Sequence, residues 1–312
     1  MISFLRFIAP LLAAVTVFSG QASAQTAEAP PSPRERVTAT PALWKVSDED
    51  TTVWLFGSFH ILPPQLEWRT PEFEAAFAQS ETVFLELPIG PETEAEVGRI
   101  AMKLGFSPSD RASGVVLAGP DWKRLKEGAA RFNIPESAVR PMRPWFASVV
   151  LSVQAIVAEG FDPESGVDKR VAAEAAAAGK ALDSFETPAQ QLGFFADLDP
   201  QTERNLLIAT LDELADGPMA LAGLFNAWAD GDAAAIDREI NGRLRDEMPT
   251  LYDILIVQRN TAWTERLDEV MDEPGVVMVV VGAGHLAGAD GVPVMLAARG
   301  FDVEQVTPTP AP

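Results

Sequence analysis

The sequence predicts an α/β (α+β) protein with a central mixed sheet, whose core strands run parallel and are flanked by helices, and with a long helical insertion. Three stretches support this fold class. The run Gly275–Val281 is apolar without alternation, which is typical of a strand covered on both faces in a parallel sheet. The run Thr51–Phe56 is rich in β-branched and aromatic residues, which favours another strand. Between them, residues 144–267 are helical in character almost throughout, which indicates the insertion.

Shorter elements are predicted from apolar spacing and from Pro or Gly at their ends. Near the N-terminal strand, a helix at Pro71–Gln79 leads into a strand at Glu81–Leu87. Near the other end, a helix at Val292–Arg299 returns to a last strand, Phe301–Val306. Inside the insertion, Ala-rich patterns predict helices at Asp168–Ala178, Leu221–Ala229 and Ala233–Leu244.

The charge balance and the missing residue types exclude several classes of function. The 312 residues contain 24 Lys and Arg against 45 Asp and Glu, which gives a formal charge of −21. Such a polyanion repels phosphate backbones and anionic headgroups, so we expect no nucleic-acid partner. The chain has no Cys, which excludes disulfides, thiol nucleophiles and zinc knuckles. Its two His leave only two positions for imidazole chemistry.

The N-terminus has the pattern of a cleaved secretory signal. A basic head ends at Arg6, an apolar stretch covers residues 7–18, and small residues at 22–24 precede Gln25. The apolar stretch is shorter than the roughly 20 residues of a membrane span, and an uncleaved anchor is the alternative. We therefore predict a signal peptide over 1–24 and an exported protein, periplasmic or secreted, without an integral membrane segment after cleavage. A disordered Pro-rich leader (25–41), a single domain (42–306) and a disordered tail (307–312) are expected to follow.

Both His follow the same local pattern. Gly57-Ser58-Phe59-His60 comes directly after one predicted strand, and Gly282-Ala283-Gly284-His285 comes directly after another. A Gly lets the backbone turn sharply where the strand ends, so each His is expected at the carboxyl edge of the sheet, where sites assemble. If the two strands are neighbours, the imidazoles converge. The alternative is a capping or hydrogen-bonding role for each His.

A carboxylate is expected at the same edge. Glu86 lies near the carboxyl end of an otherwise apolar strand, where desolvating it is costly unless it meets a cation, a metal or donors. An edge-strand Glu that points to water is the alternative. Two neutral imidazoles and a carboxylate form the ligand set of many catalytic sites for divalent metals. We therefore predict that His60, Glu86 and His285 bind manganese, cobalt or zinc, which would lower the pKa of a bound water.

These residues resemble the TraB/PrgY/GumN family, which includes the Tiki proteins. Its hallmark is a pair of G-x-x-H motifs with a Glu shortly after the first, as in Gly57…His60, Glu86 and Gly282…His285. The flanks are also similar, with Leu43-Trp44-Lys45-Val46 before the first motif and Leu286-Ala287-Gly288 after the second. The resemblance spans about residues 42–306. Looser matches follow in the family's order: Ser165-Gly166-Val167-Asp168, Phe185-Glu186-Thr187, Gln190-Gln191-Leu192 and Arg259-Asn260.

The resemblance implies a fold related to erythromycin-esterase-like and ChaN-like proteins. Through the Tiki relatives it also implies a metal-dependent peptidase that uses the two His and the Glu. Arg259 is expected to stabilise an oxyanion or hold a substrate carboxylate, with Asn260 orienting it. Asp168 and Glu186 are expected to orient the imidazoles. The alternatives are a helix N-cap for Asp168 and a surface or capping role for Arg259.

The leading hypothesis is an exported metal-dependent hydrolase, a peptidase, with a peptide or small-molecule substrate. In it His60 and His285 bind the cation, and Glu86 either ligates it or acts as general base on its water. Metal-free hydrolysis of the esterase type, with one His as base and Glu86 orienting it, is a second hypothesis. A non-catalytic protein that sequesters a peptide or a cation is the third. Because ligation needs neutral imidazoles, the first hypothesis predicts that acid releases the metal.

Overall fold

The computed structural model describes residues 38–106, 108–216, 220–307 and 309. The predicted signal peptide, most of the predicted leader, and positions 308 and 310–312 of the predicted tail lie outside the described residues. The last four positions of the expected leader are packed rather than disordered. Ala39 is buried and donates its N–H to the carbonyl of Glu67, and Thr40 donates to the carbonyl of Ala229. In the described ranges, no helix has both the length and the apolar character needed to cross a bilayer.

The elements follow one another in an order that begins and ends with strands. The strands are β1 Leu43–Ser47, β2 Thr51–Ser58, β3 Thr82–Leu85, β4 Ala181–Ser184, β5 Gly275–Gly282 and β6 Asp302–Val306. The α-helices are α1 Pro71–Gln79, α2 Pro91–Gly105, α3 Ser113–Val116, α4 Gly119–Arg131, α5 Glu136–Val139, α6 Pro144–Ala158, α7 Val167–Ala177, α8 Pro188–Ala196, α9 Pro200–Asp216, α10 Ala220–Ala229, α11 Ala233–Ile236, α12 Arg243–Glu247, α13 Pro249–Tyr252, α14 Gln258–Met271 and α15 Val292–Ala298. Turns of 3₁₀ helix occupy Ser109–Arg111, Pro163–Ser165 and Ala283–Leu286, and π-helical turns occupy Asp237–Gly242 and Asp253–Val257.

The strands form a six-stranded mixed sheet in the order β4-β3-β5-β2-β1-β6. Strands β4, β3, β5 and β2 are parallel, whereas β1 is antiparallel to β2 and β6. The predicted mixed sheet with parallel core strands and flanking helices is therefore confirmed. Because β5 lies between β2 and β3, the strands that precede the two G-x-x-H motifs are neighbours, and the strand that precedes Glu86 is next to them.

Both faces of the sheet are covered, which explains why β5 does not alternate between apolar and polar residues. Met278 and Val280 pack into the larger hydrophobic core, on the face that holds most of the helices. Val279 and Val281 point to the opposite face, where they pack in a smaller core with Leu267 of α14. A strand buried on both sides needs apolar residues at every position.

The structure corrects the sequence prediction mainly inside the insertion. The helix at Pro71–Gln79 is confirmed, and β2 continues through Gly57 and Ser58. The predicted helical stretch 144–267 contains an additional strand, β4, so it is not helical throughout. Most of β4 is exposed at the sheet edge, so its residues carry neither alternation nor an apolar run that would predict a strand. Helices are also present before residue 144, from α2 to α5.

Candidate active site at the carboxyl ends of the parallel strands

Four adjacent parallel strands each deliver one buried, titratable side chain at their carboxyl ends. His60 follows β2, Glu86 follows β3, Glu186 follows β4 and His285 follows β5. The backbone N–H of Glu186 donates to the carbonyl of Glu86, so the pairing of β3 with β4 continues to these two residues. Parallel strands end at one edge of a sheet, and this edge is where sites form in α/β folds.

The two G-x-x-H motifs touch each other through their small residues. A Cβ on Gly57 would lie only 3.1 Å from the Cβ of Ala283, closer than ordinary van der Waals contact, so a larger residue at the first position of one motif would press against the other. The indole N–H of Trp228 donates to the carbonyl of Gly57 at 2.8 Å, which fixes this turn from the side of α10. The two repeated sequence motifs therefore pack directly against each other in the structure.

His60 is held by Asp168. The Nδ1 of His60 lies 2.7 Å from Oδ1 of Asp168, and since a carboxylate accepts, Nδ1 carries the proton. The Nε2 of His60 is buried and has no hydrogen-bond partner among the described residues. Gly166 occupies the N-cap position of α7, so the N-cap alternative for Asp168 is wrong. Burial alone would lower the pKa of His60, but Asp168 and then Glu86 outweigh it and raise this pKa above 6.5.

Gly166 is needed for the position of His60, which gives a test of the loop. A Cβ at residue 166 would overlap the backbone carbonyl of His60. We expect Gly166→Ala to lower the free energy of unfolding by about 1–3 kcal/mol, because the loop must shift to relieve the overlap. Urea unfolding measures this change. In the control Gly193→Ala the new Cβ meets Asp197 only at 3.7 Å, so that helical substitution is expected to stabilise by about 0.5–1 kcal/mol. Equal effects of both substitutions would contradict the prediction.

Both carboxylate oxygens of Glu86 accept hydrogen bonds at the edge of the sheet. Its Oε1 accepts the backbone N–H of Gly282 at 2.7 Å, and its Oε2 accepts from Nη2 of Arg259 at 2.7 Å and from Nε2 of Gln191 at 3.1 Å. Strand β3 pairs on both sides, with β4 and β5, so the alternative of an edge-strand Glu pointing to water is wrong. The donors satisfy a buried carboxylate that would otherwise be costly.

His285 is also held through its Nδ1, by Asn260. The amide nitrogen of Asn260 donates to the carbonyls of His285 and Asp290, so its Oδ1, which lies 2.6 Å from Nδ1 of His285, accepts the proton on Nδ1. The Nε2 of His285 therefore carries a lone pair, which accepts from Nη1 of Arg259 at 3.0 Å. Burial, and then the positive charge of Arg259, hold the pKa of His285 well below its usual range.

The three predicted ligands face one point. The Nε2 atoms of His60 and His285 lie 3.7 Å and 4.0 Å from the same Oε1 of Glu86. Both imidazoles have their protons fixed on Nδ1, which is how metal-binding His are usually oriented by their neighbours. In the type of their atoms, the orphaned Nε2 of His60 and this donor set fit a divalent cation. As arranged in the described part of the chain, no group of three or more His, Cys, Asp or Glu could hold a metal ion, so these three side chains would have to approach one another to bind one.

Arg259 is the central cation of the site. Its Nε and Nη2 donate to the two carboxylate oxygens of Glu186 at 2.6 Å and 2.9 Å, in a bidentate pair. Burial alone would lower the pKa of Arg259, but Glu186 and Glu86 outweigh it and raise this pKa. Burial also raises the pKa of Glu186. Glu186 therefore orients Arg259 rather than an imidazole, and Arg259 is buried rather than on the surface.

A cleft of about 540 Å³ adjoins the ion pair of Arg259 and Glu186. Its walls combine aromatic side chains, among them Phe185, Phe194 and Trp263, with polar ones such as Gln190 and Asp197. None of the three predicted ligands lines it, but Arg259 does, and the same guanidinium contacts His285. Asn260 does not line the cleft either, and its predicted part in substrate binding stays a prediction.

Three residues that support the site were not predicted from the sequence. Gln191 bridges the carboxylates of Glu86 and Glu186, and Trp228 donates to the carbonyl of Gly57 in the first motif. Asn241 donates to the carbonyl of Gly284 in the second motif and to that of Ala287 just after it. The only available signal was the position of Gln191 in a segment that resembles the family. Trp228 and Asn241 are neutral residues in or beside helices, where nothing in the sequence separates them from core residues.

Comparison with known proteins identifies the family. The model of the TraB/PrgY/gumN family matches residues 42–305. The chain is similar to Uncharacterized protein YbaP of Escherichia coli (strain K12), with 28% identity over 203 residues that cover 65% of this chain and 75% of that protein. It is equally similar to the protein of the same name from Shigella flexneri. No solved structure matches significantly, so the expected relation to erythromycin-esterase-like and ChaN-like folds stays a prediction. The chain belongs to the TraB/PrgY/gumN family.

Proposed function

We propose that this protein is a metal-dependent hydrolase, a peptidase that acts outside the cytoplasm. The observation that carries the proposal is the approach of the two imidazole Nε2 atoms to one oxygen of Glu86, at 3.7 Å and 4.0 Å. Peptidase activity is favoured by the resemblance to the Tiki proteins, and export by the signal-like pattern of residues 1–24.

The chemistry follows from the fixed orientation of each side chain. Asp168 and Asn260 hold the imidazoles with Nε2 toward Glu86, so His60 and His285 would bind the cation with no reorganisation of their protons. A divalent cation, when bound, lowers the pKa of a water and polarises a carbonyl. Glu86 Oε1 lies between the two imidazoles, where it would ligate the cation or take a proton from the water. The Arg259 guanidinium offers a positive charge for an oxyanion.

Hydrolysis of a peptide library by the purified protein tests this proposal. Cleavage is expected after addition of Mn²⁺, Co²⁺ or Zn²⁺, and it should stop on addition of a chelator and return when the metal is restored. His60→Ala is expected to remove the activity. Thermal unfolding of the variant verifies that it is folded. Equal turnover by the wild type and His60→Ala would contradict the proposal.

The pair of His60 and Asp168 predicts a specific pH dependence. His60 must be neutral to bind a cation, and its pKa is raised above 6.5, mainly by Asp168. Activity should therefore fall as the pH is lowered through this raised pKa. His285, with a pKa well below its usual range, stays neutral over the same interval. In Asp168→Asn the acid limb of the kcat/KM profile is expected at lower pH, because the carboxylate that raises the pKa is gone.

Asp168→Asn is also expected to weaken metal binding by about 10- to 100-fold, because replacing the carboxylate with an amide lowers the basicity of the His60 imidazole. The comparison is made at a pH where His60 is neutral in both the wild type and the variant. Equilibrium dialysis with Mn²⁺ measures this change. An acid limb at the same pH in the wild type and Asp168→Asn would show that His60 does not control it.

Metal-free hydrolysis is a second candidate, and the pairing of His60 with a carboxylate favours it. His60 has a free Nε2 and an anchored Nδ1, the arrangement of a general base in a hydrolytic triad. The orienting carboxylate is Asp168, not Glu86 as predicted from the sequence. Hydrolysis that is unaffected by chelators and lost in both His60→Ala and Asp168→Asn would favour this candidate.

A further inference from the structure

The metal-facing nitrogen of His285 already has a partner in the structure. Nη1 of Arg259 lies 3.0 Å from Nε2 of His285, and the Nδ1 of the same imidazole is paired with Asn260. A guanidinium only donates, so the lone pair on Nε2 is the acceptor. This lone pair is the one that a cation would need. A hydrogen bond from Arg259 and a bond to a metal therefore exclude each other.

The two metal-facing nitrogens differ in this respect. Nε2 of His60 has no partner among the described residues, whereas Nε2 of His285 is occupied. The two carboxylate oxygens of Glu86 differ in a similar way. Oε2 accepts from Arg259, whereas Oε1 accepts only from the backbone N–H of Gly282. One half of the site is thus ready to bind a cation, and the other half is held by Arg259.

Arg259 has alternative contacts that would keep its charge compensated if Nη1 moved. The guanidinium is planar and rigid, so Nη1 leaves His285 only when the whole group turns and its bidentate pair with Glu186 adjusts. The carboxylate of Glu186 stays within reach of a turned guanidinium, which also lies over the rings of Trp263 and Phe194, at 4.8 Å and 5.4 Å from their centroids. The same guanidinium lines the cleft, so its movement would also connect the cleft with His285.

We propose that Arg259 is an internal competitor of the divalent cation, because its Nη1–H holds the Nε2 lone pair of His285 until the cation displaces it. The proposal rests on the metal site proposed above and adds a positioning residue that lowers metal affinity. Displacement of Nη1 would couple metal loading to opening of the cleft toward His285. An active site with this device would be closed to substrate when it lacks metal.

Titration calorimetry of the full chain with Mn²⁺ alone tests the proposal without using activity. Arg259→Lys keeps the positive charge but loses the planar fork that reaches His285 and Glu186 together. Arg259→Gln removes the charge as well. Loss of a hydrogen bond to a charged donor should tighten binding by about 10- to 100-fold in both variants. The matched control is Arg266→Gln, on the same helix, whose side chain is about half exposed and pairs with Glu269 at 2.8 Å. Its affinity for Mn²⁺ is expected to equal that of the wild type.

The outcomes separate this inference from the function on which it rests. Tighter Mn²⁺ binding by both Arg259 variants, but not by Arg266→Gln, supports the competition. If the wild type binds Mn²⁺ and neither variant binds it more tightly, the competition is wrong and the metal site stands. A gain in Arg259→Gln alone also overturns the competition, because loss of charge would then explain it. If none of the proteins binds Mn²⁺, Zn²⁺ or Co²⁺, the metal site itself is wrong.

Discussion

Glu86→Gln is expected to reduce kcat/KM for hydrolysis by about 10²- to 10⁴-fold, the range for loss of a group that moves a proton in the transition state. The substitution keeps the shape of the side chain and an oxygen for the N–H of Gly282, but it removes the charge between His60 and His285. Both possible roles of Glu86, as ligand and as base, require this charge. Steady-state kinetics with the best library peptide measures the change.

Glu203→Gln is the matched control for this variant. Glu203 is also a buried carboxylate that accepts from arginines, at 2.9 Å from Arg111 and in a short contact with Arg143, and neither arginine belongs to the candidate site. Its substitution is expected to lower stability and leave kcat/KM unchanged at a temperature where the protein is folded. Similar activities of Glu86→Gln and Glu203→Gln would contradict the assigned role of Glu86.

The largest expected effect on stability comes from Arg259→Met. Methionine replaces the length of the side chain but leaves the carboxylates of Glu86 and Glu186 buried without a cation. Breaking a buried ion pair from one side costs about 3–5 kcal/mol. We expect the free energy of unfolding at neutral pH to fall by this amount, as measured in urea.

The loss should depend on pH in a defined direction. Burial already raises the pKa of Glu186 above 4.5 in the intact site, and removing Arg259 removes the charge that opposes this. A carboxyl group with a raised pKa in the folded state destabilises the fold as the pH rises through that pKa. The penalty of Arg259→Met should therefore be largest at neutral pH and smaller near pH 4.5. Arg266→Met, at an exposed ion pair on the same helix, should change stability by no more than about 0.5 kcal/mol. Equal losses in both variants would contradict the prediction.

The parts of the fold that bury apolar residues were predictable from the sequence. Gly275–Val281 predicted a strand covered on both faces, and it lies in the middle of the sheet, with alternate side chains in separate cores. Strand β4 was not predicted because neither of its faces is buried. Its residues Ala181, Leu182 and Asp183 are exposed, and only the backbone pairing with β3 makes the segment a strand. Such pairing leaves no period in the sequence.

The candidate site was predictable at positions where a polar side chain, costly to bury, follows or interrupts an apolar strand. A Glu in an apolar strand and two His after Gly are rare enough to point to one edge of the sheet, and Glu86, His60 and His285 do face each other there. The contacts of Arg259 were not predictable in this way. Its guanidinium contacts three residues that follow three different strands. Which residues it contacts depends on side-chain conformations and burial, which no local sequence pattern encodes.

Nitrogen NMR of the protein labelled with ¹⁵N-histidine tests the central claim most directly, because the chain has only two His. Without metal, at a pH above the raised pKa of His60, both imidazoles should carry their proton on Nδ1. One equivalent of Zn²⁺ should then shift both Nε2 signals together, with saturation at one ion per chain, and Glu86→Gln should weaken this response. A shift of only one imidazole, or independent shifts at different zinc concentrations, would contradict a shared site formed by His60, Glu86 and His285.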